Sequence, residues 1–207
     1  MKNTKKVLLG GVAALALVGT SVFGTYMYLQ STTGTVKNTF TVGKVAITLD
    51  EADTDEYGAK LYVKEGELVT DKTDTVADRV QANEYKLIPG HNYLKDPTVH
   101  VSSESEDSWL FVKVENGISN IEADKKIADQ MADKGWSLVG TETTVYAYKD
   151  KVTKNDNIKV FDGFTLTNSA TVESYANASI TITAYAVQAD GFNTAAAAWT
   201  AAPATWN

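Results

Sequence analysis

The sequence predicts a mainly β chain: a two-sheet sandwich, Ig-like or jelly-roll-like, with one inserted amphipathic helix, behind an N-terminal signal helix. Three observations predict it. Apolar residues alternate at period two over many short segments bounded by Gly, Pro, Asn and Asp, the mark of half-buried strands. One segment repeats at helical spacing instead. The N-terminal residues have a basic start and a long uncharged apolar run, unlike the rest of the chain.

The leader comes first. Lys2, Lys5 and Lys6 precede an apolar and glycine stretch over 7–18, then Gly19-Thr20-Ser21. Positive charge stays inside while a short apolar segment enters the bilayer. Residues 1–27 are therefore expected to be a signal peptide and 28–207 a single β-sandwich domain. The signal-peptidase region falls at Thr25, Met27 and Tyr28. Residues 7–29 also suffice, at about 1.5 Å per residue, to span the hydrocarbon core, so a retained anchor is the alternative. A secreted product is expected, with membrane contact only through the leader before cleavage.

Strands follow. Val36, Asn38, Phe40 and Val42 share one face, and after Gly43-Lys44 the phase slips so that Val45, Ile47 and Leu49 share a face. Such a slip marks a bulge or a break between strands. Further strands are predicted over 60–64, 84–88, 98–102, 109–115, 143–148, 158–167 and 178–188. Turn signals separate them at 55–58, Pro89-Gly90, Asn116-Gly117 and Asp162-Gly163. Within 109–115, Leu110, Val112 and Val114 face a core and Phe111 packs opposite.

The helix is expected to start at Ser119-x-x-Glu122, a capping box. Ile121, Ala123, Ile127, Ala128 and Met131 form its stripe, and Gly135 is its stop. A short second helix is predicted over 194–200 from four consecutive alanines. Acidic segments 50–56 and 72–78 read as surface loops.

Composition excludes several functions. The 207 residues carry a formal charge of −7, and Arg79 is the only arginine. Loss of three leader lysines would move that charge to −10. Nucleic-acid binding needs clustered Arg and Lys, so it is excluded. Zero cysteines exclude disulfides, thiolate zinc sites and cysteine nucleophiles.

No catalytic or cofactor site is expected. The chain has no HExxH, and His91 and His100 read as two surface histidines rather than a metal pair. Residues 53–58 begin like a calcium loop, but Tyr57 and Lys64 occupy positions that need ligands. Asp50, Glu51, Asp53 and Asp55 then read as a solvated acidic loop, as do Glu104, Glu106 and Asp107. No GxSxG, phosphate loop or dinucleotide fingerprint occurs. Trp109 reads as core, Trp136 as the anchor at the helix end, and Trp199 and Trp206 as a cap on the sandwich. The C-terminal residues 200–207 carry no sorting motif, so covalent attachment to a cell wall is not expected.

Two groups of segments carry a family resemblance. The first is Gly24-Thr25-Tyr26-Met27-Tyr28-Leu29, then Asn38-Thr39-Phe40-Thr41-Val42-Gly43, then Val45-Ala46-Ile47-Thr48-Leu49. The second is Pro89-Gly90 followed by Lys95-Asp96-Pro97-Thr98-Val99, and then the strand of Trp109. Together they resemble the TasA/camelysin family of Gram-positive exported proteins with a SipW-dependent-type signal peptide. Met27 stands where that family has a small residue, and Leu29 where it has Phe.

The resemblance implies a dedicated signal peptidase as a partner and a structural subunit of an extracellular or biofilm matrix. Once the leader is cut, the segment 28–42 becomes a free, threonine-rich end. With Thr35, Val36, Phe40 and Val42 it is a candidate donor strand for a neighbouring copy. Repeated head to tail, such a contact makes a filament. The alternatives are the same segment serving as the first strand of its own sandwich, a camelysin-like extracellular metallopeptidase, or an adhesive or ligand-binding module.

Overall fold

The computed structural model describes residues 44–176 and 178–204, all within one compact unit, Thr39–Asn207. The signal-peptidase region at Thr25, Met27 and Tyr28, the donor-strand residues Thr35, Val36, Phe40 and Val42, and Trp206 lie outside the described residues.

The first half of the chain holds β1 (Ile47–Asp50), β2 (Tyr62–Lys64), β3 (Glu67–Val69), β4 (Asn92–Leu94), β5 (Thr98–Val101) and β6 (Ser108–Asn116). Then come β7 (Glu122–Ala123), α1 (Ile127–Asp133), β8 (Trp136–Leu138), β9 (Val145–Tyr148), β10 (Asn157–Lys159) and β11 (Gly163–Leu166). The last elements are α2 (Val172–Tyr175), β12 (Ile180–Gln188) and α3 (Ala195–Ala201). The chain is mainly β and sandwich-like. Its strands form antiparallel sheets in the orders β1-β5-β10, β4-β11-β7 and β12-β6-β9-β8, with β2-β3 as a separate hairpin. Among the described residues no helix is long and apolar enough to cross a membrane.

β6 explains the layering. Its alternation sends Leu110, Val112 and Val114 into the main core with Val99, Val101, Trp136 and Phe161. Trp109 and Phe111 point the other way, into a second core with Val145, Ala147, Val187 and Ala198. A strand buried on both faces needs cover on both. The β1 and β4 sheets supply one side, and α3 supplies the other. Thr194 caps α3 by accepting from Ala197 N at 3.1 Å, and Trp199 lies 5.2 Å from Phe111 between ring centroids. The second predicted helix and the core role of Trp109 stand as expected, and Trp136 is buried beside α1.

Four expectations are corrected. The helix starts not at Ser119 but at Ile127, with Lys126 as its N-cap. Residues 118–121 form a turn, β7 pairs with β11, and Asp124 takes a left-handed φ of 55° that breaks any helix there. Glu122 still caps, at longer range: its carboxylate accepts from Ile127 N at 3.0 Å. Gly135 is the stop, with φ +91°.

The segment 84–88 is extended but joins no sheet. Tyr93 OH takes its polar groups instead, accepting from Ile88 N at 2.7 Å and donating to Lys86 O at 2.8 Å. The predicted strand 158–167 breaks into β10 and β11, which belong to different sheets. Val160 N donates to Pro97 O at 2.8 Å and Asp162 N to Gln130 Oε1 at 2.9 Å, so the break is stitched by the residue before β5 and by α1. Finally, the segment 50–56 is not a solvated loop: Glu51, Ala52 and Thr54 are buried.

Candidate functional site

The inward face of Val45, Ile47 and Leu49 continues at period two to Glu51. This puts a carboxylate where an apolar residue would be ordinary. Its side chain is 4% exposed and that of Lys95 is 10% exposed, with Lys95 Nζ 2.6 Å from Glu51 Oε2. The other carboxylate oxygen accepts from Asn83 Nδ2 at 2.8 Å. Asn83 is saturated: Nδ2 also donates to Ala52 O at 2.9 Å, and Oδ1 accepts from Thr54 N at 3.0 Å. Buried charges persist when paired and hydrogen-bonded, and Glu51 is paired with Lys95 and accepts a hydrogen bond on each oxygen. Thr54 Oγ1 is the one buried side-chain oxygen without a hydrogen-bond partner among the described residues.

Aromatic rings close the site. Tyr85 lies edge-on to Tyr93 and Phe164, with centroids 5.6 and 5.7 Å away, and its hydroxyl donates to Leu94 O at 2.8 Å. Burial, reinforced by the nearby Glu51 charge, pushes the Tyr85 hydroxyl above the ordinary tyrosine range. Lys95 Nζ stands 6.0 Å from the Tyr85 ring centroid.

A second charged layer lies beside the first. Arg79 forms an ion pair with Asp50 through Nε, and its Nη2 donates to Asp96 O at 3.0 Å and Thr98 Oγ1 at 3.1 Å. Asp96 Oδ1 accepts from Ala52 N at 2.7 Å. His100 Nε2 lies 2.8 Å from Asp50 Oδ1, and its Nδ1 faces Asn157 Oδ1. Burial acts to raise the Asp50 carboxyl, but hydrogen bonds from Arg79 and His100 outweigh it and hold the group below the ordinary aspartate range. The Arg79 guanidinium is partly desolvated, yet its two carboxylate partners raise its pKa.

The six motif residues separate into three places. Lys95, Asp96 and Pro97 meet in this seam. Pro89-Gly90 makes a tight turn, with Gly90 at φ +74° and Ile88 O accepting from His91 N at 3.1 Å. Trp109 lies on the far face of β6, in the second core, and donates to Phe192 O at 3.3 Å. The histidines are half-buried and hydrogen-bonded rather than free on the surface. His91 Nε2 is 2.8 Å from Tyr57 O, while His100 serves Asp50. Among the described residues no group of three or more His, Asp or Glu is placed to hold a metal ion.

Sequence reasoning missed Glu51, Asn83 and Arg79 as partners. The signal for Glu51 was present in the unbroken alternation from Val45. Arg79 and Asn83 had no local signal, because their partners are 17 to 32 residues away.

The other notable surface is an edge. β12 is nine residues long and, among the described residues, its only ladder is to β6. It contains no charged residue and no proline.

No family model, curated protein or solved structure matches the chain.

Proposed function

We propose that the chain is an exported structural subunit of an extracellular or biofilm matrix, assembling head to tail by N-terminal strand donation. A dedicated signal peptidase removes the leader. The segment carrying Thr35, Val36, Phe40 and Val42 then adds to the β12 edge of a neighbouring copy. In this reading the chain is not an enzyme.

The observation that carries the reading is the composition of the β12 edge. Natural proteins blunt long edge strands with Lys, Pro or bulges, because an unprotected edge templates association. Over Ile180–Ala184 this strand instead alternates isoleucine and alanine inward with Thr181 and Thr183 outward. A threonine-rich donor with apolar residues at period two matches such an edge. Backbone hydrogen bonds give attachment and the alternating side chains give register.

The test is electron microscopy of the mature chain beside a variant lacking 28–37. The mature chain is expected to form filaments and the variant to remain a folded monomer. Filaments from the shortened variant would refute strand donation.

A further inference from the structure

Glu51 lies between two side chains that can react with each other. One oxygen accepts from Lys95 Nζ at 2.6 Å and the other from Asn83 Nδ2 at 2.8 Å. A single carboxylate therefore holds an amine nucleophile beside a carboxamide electrophile. The Asn83 carbonyl oxygen already accepts from Thr54 N–H at 3.0 Å. A fixed donor at that oxygen stabilises the negative charge that forms when a carbonyl carbon is attacked. The nitrogen that would leave, Nδ2, is held by Ala52 O at 2.9 Å. Glu51 and Lys95 are nearly dry, and Tyr85 covers them. The attacking form is the neutral amine, and Glu51, in contact with Nζ, is placed to take the proton that frees it.

We propose that Lys95 and Asn83 join in an intramolecular isopeptide bond, with Glu51 carrying the protons. The Lys95 ammonium passes one proton to Glu51, which frees the Nζ lone pair. Nζ bonds to Asn83 Cγ, and the carbonyl electron pair moves onto Oδ1 beneath the Thr54 N–H. Glu51 delivers its proton to Nδ2 and takes another from Nζ. The carbonyl re-forms, the Cγ–Nδ2 bond breaks, and ammonia leaves with that bond's electron pair. The products are one amide, one ammonia and a protonated Glu51. No oxidant or co-reactant is needed. The bond would fasten the extended segment 84–88, which has no ladder of its own, to the β4–β5 junction. In a chain with no cysteine, it supplies a covalent tie by other chemistry.

Tryptic digestion and mass spectrometry of the purified, folded chain test this. The bond leaves Lys95 uncleaved and joins peptide 80–86 to peptide 87–113, at one ammonia less than their summed mass. The joined peptide is expected from the wild type and is expected to be lost in Glu51→Gln and Lys95→Arg. Recovery of only free 80–86, 87–95 and 96–113 from the folded wild type would overturn the proposal, whatever the variants do. The same joined peptide at full yield from folded Glu51→Gln would overturn the role of Glu51.

Discussion

The seam around Glu51 and the sheet around β6 are both buried, yet they are held in opposite ways. β6 is gripped by non-directional apolar contact on both faces, through Leu110 and Val112 on one side and Phe111 on the other. The seam is gripped by directional charge, through Glu51, Lys95, Asn83, Asp96 and Arg79. An apolar core that loses one side chain keeps its remaining contacts. A charged seam that loses one partner leaves the other charge buried and unpaired. The seam is therefore the more brittle region, and the one that fixes how β1, β5 and the segment 79–85 meet.

Lys95→Met should show the largest effect. Stranding the Glu51 carboxylate costs about 3–5 kcal/mol. Urea unfolding checks it. The double variant Glu51→Leu, Lys95→Met should recover most of the stranded-charge part, because no charge is then left behind. If the double variant is no better than the single, the seam is not electrostatically brittle.

Phe111→Ala should come next, at about 3–5 kcal/mol, since it opens a cavity under Trp199. Its cost should not change with pH, unlike that of the seam. Gly163→Ala should follow, at about 1–3 kcal/mol. A Cβ there would stand 2.3 Å from Tyr93 O, so β4 or β11 must shift.

The acid response should also divide the two regions. The Asp50 carboxyl titrates below its unfolded value, so folding favours its charged form. Its stabilisation is complete above the unfolded aspartate range, near pH 4, and is lost as pH falls through the folded pKa. Asp50→Asn should flatten that acid limb, as read from thermal melts across pH. Smallest is Thr194→Ala, at about 1 kcal/mol, from loss of the α3 cap.

The same contrast separates what could be read in the sequence from what could not. β6 was legible because its alternation is local: 110, 112 and 114 against 109 and 111. The helix at 195–201 and the stop at Gly135 were legible because an alanine run and a terminal glycine are local signals. The start of α1 was not, because the pairing of β7 with β11 overrides a sound capping pattern at Ser119. The break at 160–162 depends on Gln130 and Pro97, both distant in sequence. The seam was least legible, since an acidic stretch looks solvated until its partners, Lys95, Asn83 and Arg79, are known.

Filament formation by strand donation is tested most directly by hydrogen exchange in the mature chain before and after assembly. Amides of an open edge exchange fast, and those of a ladder exchange slowly. In the monomer the alternate amides of Ile180–Ala184 that point away from β6 should exchange fast, and in the filament they should exchange slowly, with matching protection over 35–42. Outward-pointing β12 amides already protected in the monomer, or still exchanging fast in the filament, would contradict strand donation.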